Sequence, residues 1–577
     1  MPGRTSLALE RDVRVPMPDG ITLATDVLRP GTSTPVPALL IRTPYGRDPS
    51  SSSDMVDGLR LVEAGYAVVG QDVRGRYDSE GTFRPFRDEA LDGEATIAWL
   101  AEQPWCDGRV GMLGGSYVGA TQWLAAGRTP PALRAIAPYV TASDYHESWT
   151  YQGGAFQLGF VLRWALGSLS QAHRPTPELK AAYDAIGTLY RRRPLTAIPE
   201  LAEVSPFYAE WLAHQRRDDW WQAVAPNERY EAVTVPSLNL AGWYDIFVAG
   251  SVENFRGIRA RGGSAAAREG SRLIVGTWSH TNDTRAYPER SYGWGAEIDA
   301  LDPTDLHRRF FDRWVREDPD ASAGDDPAVR LFVMGVDRWS DETDWPPPDA
   351  VDTPWFLHSG GRANSATGDG ALTPEAAGDE PEDAYTADPN DPVPSIGGAS
   401  LIAPGRAGWS DGPWDQAVAE CRRDVLSYTS APLQRPLGVI GSVGVVLHAA
   451  SSASDTDFVA RLVDVHPDGR AELLSEGILR ARYRDSLAEA RPLEPDRPVE
   501  LRISVGPTAN VFLPGHRIRL DIASSSFPRF DANPQSGGDP ATDGPEAVVV
   551  ARNRVLHDRG HPSRLVLPTV ERPWEAT

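Results

Sequence analysis

The strand-like run RVGMLG passes into Gly114-Gly115-Ser116-Tyr117-Val118-Gly119 and from there into the helix-like ATQWLAA. A serine on so tight a strand-to-helix turn is lifted clear of its sheet, and the strained backbone demands small neighbours. Gly114 meets that demand. The turn also sets the hydroxyl at a helix N-terminus, where developing negative charge is stabilised. The usual pattern puts glycine two residues after the serine; here Val118 holds that place and the glycine comes one later, at Gly119.

Serine is a poor nucleophile at neutral pH, so it needs a base to take its proton and a carboxylate to orient that base. Asp245 in AGWYDIF and His280 in VGTWSHTN each follow an apolar run, which puts them at the carboxyl ends of predicted strands, where open α/β sheets hold ligands. Their order, serine then acid then histidine, is that of the α/β-hydrolase fold. Asp72 and Asp283 are rival acids, but Asp245 alone ends a strand between Ser116 and His280. His307 sits in the helix-like DLHRRFFDRW, and the other histidines fall in later or inserted segments. Asp72 and Arg74, in GQDVRGRYDSEG, read as a structural pair, and Cys106 as an inert apolar residue.

Attack on an ester creates an oxyanion that needs preorganised donors, each worth about 3 kcal/mol. The backbone N–H of Tyr117 is the first expected donor. Tyr45, at the end of ALLIRTPYGR, stands where a second is expected, and a phenol can donate as an amide does; a tyrosine that merely packs is the alternative.

The elements that must position these groups alternate strand and helix from Ile21 to about Asp144: VPALLIRTPY, GYAVVGQDVRG, EATIAWLAEQ and GRVGMLGGSYVG. Short runs buried on both faces and joined by helices predict a mostly parallel sheet. The texture resumes at VPSLNLAGWYDIF, so residues 145–231 form an insertion, with AFQLGFVLRWALGSLSQ, ELKAAYDAIGTLYRRR and FYAEWLAHQ at helical spacing. The predicted organisation is an α/β-hydrolase domain in two parts (1–144 and 232–350), a helical cap (145–231) and an antiparallel jelly roll (351–577). In that last part HRIRLDIASS alternates Ile518, Leu520 and Ile522 with Arg519, Asp521 and Ala523, and Asp468-Gly469 marks a hairpin.

The chain has 577 residues and a formal net charge of −23, which argues against a scaffold that works by neutralising nucleic-acid phosphates. With 41% hydrophobic residues it has material for several cores. Its two cysteines, Cys106 and Cys421, are too few for a disulfide framework. No signal peptide or membrane-spanning run is recognised, so a cytoplasmic location is expected. The chemistry calls for no metal and no organic cofactor.

The motifs RTPYGR, QPWCDGRVGMLGGSYVG, AGWYDIF, TWSHTN, VRLFVMG, DETDWP, DTDFVARLVDVHPDGRA and NVFLPGHRIRL carry a resemblance over nearly the whole chain. The sequence resembles the bacterial cocaine esterase type of serine hydrolase, within the family that also contains X-Pro dipeptidyl-peptidases and α-amino acid ester hydrolases. In that family, too, the glycine comes three residues after the serine. The resemblance implies Ser116 as nucleophile, His280 and Asp245 as its partners, and the Tyr45 hydroxyl with the Tyr117 N–H as the oxyanion hole. It further implies an aromatic acyl pocket at Trp149, Trp164 and Phe247. The stretch GASLIAPGRAGW departs from the resemblance where the sandwich meets the site, with Leu401 and Ile402 as the nearest apolar candidates.

The expected activity is hydrolysis of a small-molecule ester with a bulky apolar or aromatic acyl group. An amidase or aminopeptidase would need carboxylates for a free amine, for which Asp144 and Glu147 are the scattered candidates. Acyl transfer on the same triad and a binding-module role for the jelly roll are the other readings. The sandwich also offers a surface for a homodimer, with no physical case for a particular symmetry.

Overall fold

The computed structural model describes residues 6–50, 55–170, 174, 176–321, 326–403 and 409–574. A ten-stranded sheet organises the first and third segments. Its strands in chain order are β1 (Leu7–Pro16), β2 (Thr22–Pro30), β3 (Val36–Thr43), β4 (Ala67–Asp72), β5 (Cys106–Gly115) and β6 (Leu133–Tyr139). After the cap, which contains the small hairpin β7 (Tyr151–Gln152) and β8 (Ala155–Phe156), come β9 (Leu238–Tyr244) and β10 (Arg272–Ser279). A second small hairpin, β11 (Ala286–Tyr287) and β12 (Arg290–Ser291), precedes β13 (Val329–Val333) and β14 (Arg338–Glu342).

The spatial order is β1-β2-β4-β3-β5-β6-β9-β10-β13-β14, parallel from β4 through β13 and antiparallel at both edges. Strand β4, AVVGQD, is buried at every position, and β9 likewise, because helices cover both faces. Helices α1 (Gly58–Glu63), α2 (Glu89–Ala101) and α3 (Tyr117–Ala126) make the early crossovers. All ten residues of α3 are buried, so the helix behind Ser116 is fixed on every side.

The cap is helical as expected but does not begin as one helix. Ala155 and Phe156 of AFQLGFVLRWALGSLSQ belong to the β7–β8 hairpin, α4 runs Leu158–Arg163, and Trp164–Leu169 wind as a π-helical turn. Such turns re-aim side chains within a helix and cluster at functional sites.

The second large sheet carries eleven strands and folds into the C-terminal sandwich. Pairing is antiparallel except where Ala371–Thr373 lies parallel to Leu426–Ser430. The hairpin around Gly469 joins Asp457–Val465 to Ala471–Arg480, with the His466 N–H donating to the Arg470 carbonyl at 2.8 Å. Arg517–Ala523 alternates apolar and polar residues, but its polar face is not solvated. Asp521 accepts from the Ser427 hydroxyl at 2.6 Å, and Arg519 pairs with Glu420.

The two sheets share a core in which Trp243, Tyr244 and Phe332 pack with Val511 and Phe512. Met334 after β13 bridges the sandwich, its N–H donating to Ala509 at 3.0 Å and its carbonyl accepting from Val511 at 2.9 Å. Among the described residues no helix is long and apolar enough to cross a membrane.

Candidate active site

Strand β5 ends at Gly115, and Ser116 turns the chain into α3 with φ 59° and ψ −125°. That left-handed backbone is strained for a residue with a Cβ and persists because its surroundings fix it. Gly114, at φ +130°, is required here: a Cβ on it would stand 2.3 Å from a Val118 methyl. Gln122 in α3 reaches back, donating to the Gly114 carbonyl at 2.9 Å and accepting from the Ala137 N–H at 3.0 Å. The Thr141 hydroxyl donates to the Ser116 carbonyl at 2.8 Å.

The three residues read from the sequence as a relay lie together. His280 Nε2 stands 3.0 Å from Ser116 Oγ, and His280 Nδ1 stands 2.7 Å from Asp245 Oδ2. Asp245 follows β9 and is wholly buried; its other oxygen accepts from the Phe247 N–H at 2.6 Å. With Nδ1–H on the carboxylate, Nε2 presents its lone pair to the serine hydroxyl. Ser116 makes no capping bond with its side chain, so the hydroxyl is left to the imidazole.

Tyr117 is the first residue of α3, and its N–H therefore has no carbonyl one turn back within the helix. Its phenol is anchored away from the serine, donating to Glu89 at 2.8 Å and accepting from the Phe86 N–H at 2.9 Å. Glu89 is in turn held by buried Arg42 at 2.8 Å. The Tyr45 hydroxyl accepts from the Trp164 indole N–H at 2.9 Å and, with Ser116, lines the same cleft. Burial pushes this phenol up to about 12, against the opposing pull of the Trp164 N–H and the Arg76 charge.

The five side chains expected around the acyl group are buried together in one apolar cluster with Tyr117. Trp149 stacks on Phe247 at 4.4 Å, Phe247 meets the His280 ring edge-on at 5.2 Å, and Trp149 crosses Trp164 at 5.7 Å. Leu401 and Ile402 are 8% and 5% exposed in the same cluster. None of the five lines the open cleft. That cleft, of about 520 Å³, reaches Ser116, Tyr45 and His280 from the other side, past Met55, Val118, Tyr139 and Trp278.

One structural reading changes. Asp72 pairs with Arg47 rather than Arg74, and Arg74 holds Asp92 and Asp19 at 2.6 Å each. Arg76, which sequence reasoning passed over, is buried and donates to the Pro44 carbonyl at 2.9 Å and the Leu169 carbonyl at 2.8 Å. It thereby ties the Tyr45 loop to the π-helical turn that carries Trp164. No sequence signal marks Arg76, since both its acceptors are backbone atoms distant along the chain.

A buried acid, an imidazole and a serine hydroxyl in series at the carboxyl edge of a mostly parallel sheet are the arrangement of serine hydrolases on the α/β-hydrolase fold. Residues 19–282 match the X-Pro dipeptidyl-peptidase (S15) family, and residues 321–566 match the X-Pro dipeptidyl-peptidase C-terminal non-catalytic domain. The cocaine esterase of Rhodococcus sp. (strain MB1 Bresler) is 41% identical over 97% of this chain and 98% of its own. Among solved structures, an α-amino acid ester hydrolase superposes with a TM-score of 0.83 at 27% identity, covering 98% of this chain and 97% of its own. An aminopeptidase from a marine sediment Thaumarchaeota archaeon does so with a TM-score of 0.80, also at 27% identity and with the same coverage. The chain belongs to the X-Pro dipeptidyl-peptidase (S15) family and is a serine hydrolase of the esterase type.

Proposed function

We propose that this protein hydrolyses carboxylic esters through an acyl-enzyme on Ser116. Ser116 Oγ attacks the ester carbonyl carbon as its proton passes to His280 Nε2, and Asp245 stabilises the imidazolium that forms. The oxyanion is received by the Tyr117 N–H and the Tyr45 O–H. His280 then protonates the leaving alcohol, and a water activated by the same nitrogen releases the acid. The observation that carries this reading is the unbroken series from Asp245 through His280 to Ser116 at 2.7 and 3.0 Å.

The acyl arm is placed against Trp149, Trp164 and Phe247, with Leu401 and Ile402 closing the far side. These residues touch the base and the oxyanion tyrosine, which supports a bulky apolar or aromatic acyl group. They are packed against one another, so such a group enters by parting them, while the alcohol portion occupies the open cleft. The carboxylates nearest to hand for an amine-recognising enzyme, Asp144 and Glu147, are engaged elsewhere. Asp144 holds Arg217 at 2.6 Å, and Glu147 accepts from the Gly153 N–H at 3.0 Å. This favours esters without a free amine over aminopeptidase substrates.

The test is turnover of aryl esters by Ser116→Ala. A fall of about four orders of magnitude or more in kcat, with circular dichroism unchanged, is expected. Activity near that of the parent enzyme would remove Ser116 from its role. Separate variation of acyl and alcohol size in the same assay checks the acyl assignment.

A further inference from the structure

A second cavity, of about 240 Å³, lies on the seam between the cap and the sandwich. Arg191, Arg192 and Arg193, which follow the helix Ile186–Tyr190, form part of its wall, facing apolar surface from Leu158, Tyr190 and Phe527. No aspartate or glutamate lines it. In a chain with a formal net charge of −23, three consecutive arginines on the wall of a cavity that no carboxylate lines stand out.

The three differ in how their charge is met: Arg191 is exposed to solvent, Arg192 is ion-paired with Glu200, and Arg193 is partly buried with no carboxylate partner among the described residues. Arg192 donates to the Ala197 carbonyl at 3.1 Å and reaches Glu200 only at 3.4 Å. Arg193 donates to the Ala532 carbonyl, and burial holds its guanidinium below the ordinary range. Asp531, the acid that acts on it most, is itself bound to Arg480 at 2.9 Å. Arg191 lies over the Phe527 ring at 5.2 Å. Among the described residues neither Arg191 nor Arg193 has a carboxylate within ion-pair distance.

A partly desolvated cation without counter-charge, here Arg193, is costly, and an anion that accepts from its guanidinium fork offsets that cost with charge-assisted hydrogen bonds, the exposed Arg191 adding charge on the same wall. The apolar and aromatic walls select against a bare inorganic anion, and the volume admits only a small ligand. We propose that this cavity binds a small organic carboxylate with an apolar or aromatic body. That is the chemical class an esterase releases, but the site rests on its own walls and stands or falls independently of the chemistry at Ser116.

Calorimetric titration of the full chain with phenylacetate and with inorganic phosphate tests it, using the parent protein, Arg191→Gln and Arg191→Lys. Saturable phenylacetate binding is expected, weakened about tenfold or more in Arg191→Gln and less in Arg191→Lys, which keeps the charge but loses the planar fork. Added salt should weaken it in the parent. Turnover of a neutral aryl ester, and inhibition of that turnover by phenylacetate, should be the same in all three proteins, which separates this site from the catalytic cleft. An isotherm unaltered by Arg191→Gln would overturn the proposal. So would inorganic phosphate binding as tightly as phenylacetate, because the apolar walls would then have no role. Should Arg191→Gln fail to fold, an isotherm unaltered in Arg191→Lys with salt-independent binding is equally fatal.

Discussion

Tyr45 owes its assigned role to two neighbours, Trp164 and Ser116. The Trp164 N–H occupies one lone pair of its oxygen at 2.9 Å, which leaves the phenolic proton free to point toward Ser116. Burial pushes the phenol up to about 12, so the proton stays in place throughout the working pH range and no alkaline loss of activity between pH 8 and 10 should arise from Tyr45. Replacing Tyr45 by Phe is expected to lower kcat about a hundredfold or more while KM moves little; a change confined to KM would make Tyr45 a packing residue. That Ser116, Asp245 and His280 come together was legible because their types stand at strand ends in an informative order. The partner of Tyr45 was not. Trp164 lies 119 residues away, and the two meet only when the cap docks. Arg76 was illegible for the same reason, and the arginine at 74 drew attention to the wrong pair.

At the scale of elements, alternating strand and helix patterns were enough to anticipate the parallel sheet, since runs such as AVVGQD are buried on both faces. Alternation marked the strand in HRIRLDIASS, where the polar face is buried too and is satisfied by partners supplied from elsewhere in the sandwich. The π-helical turn at Trp164 left no periodic signal, because one widened turn shifts the apolar stripe by a single residue.

The helix Pro303–Trp314 packs against β6, the strand beside the one that leads into Ser116. His307 is wholly buried in it, edge-on to the Tyr139 ring at 6.4 Å, and donates from Nδ1 to the Pro303 carbonyl at 2.7 Å. Burial lowers this imidazole to about 4, so the folded protein keeps it neutral where the unfolded chain, near 6.5, takes a proton. Stability from this residue is therefore present above pH 6.5 and lost as pH falls toward 4, by on the order of 3 kcal/mol. His146, also lowered to about 4 by burial, acts in the same direction. Urea unfolding at pH 7, 5 and 4 should show a smaller loss of stability with acid in His307→Leu than in the parent. Equal slopes would mean that His307 is not buried neutral.

At the scale of the molecule, the site proposed above draws on three parts of the chain. The hydrolase sheet supplies Ser116, Asp245 and His280, the cap supplies Trp149 and Trp164, and the sandwich supplies Leu401 and Ile402. The parts are joined by buried polar contacts as well as by apolar packing. Asp531 of the sandwich accepts from the Phe156 N–H of the cap at 2.8 Å while holding Arg480 at 2.9 Å. The Gly335 turn, at φ +83°, lies so close to the sandwich that a Cβ would come within 2.1 Å of the Val511 carbonyl. Sequence patterns give each part its layers but carry little about such seams, because a seam is set by shape and by single polar atoms with no period of their own.

Treating the intact chain with a fluorophosphonate, then measuring the mass gained and mapping the modified peptide, tests the claim on which the rest depends. One phosphonyl group per chain is expected, on the peptide that carries Ser116, formed about a thousandfold more slowly or not at all in His280→Ala. Modification at another residue, or a rate at Ser116 that does not depend on His280, would contradict the account.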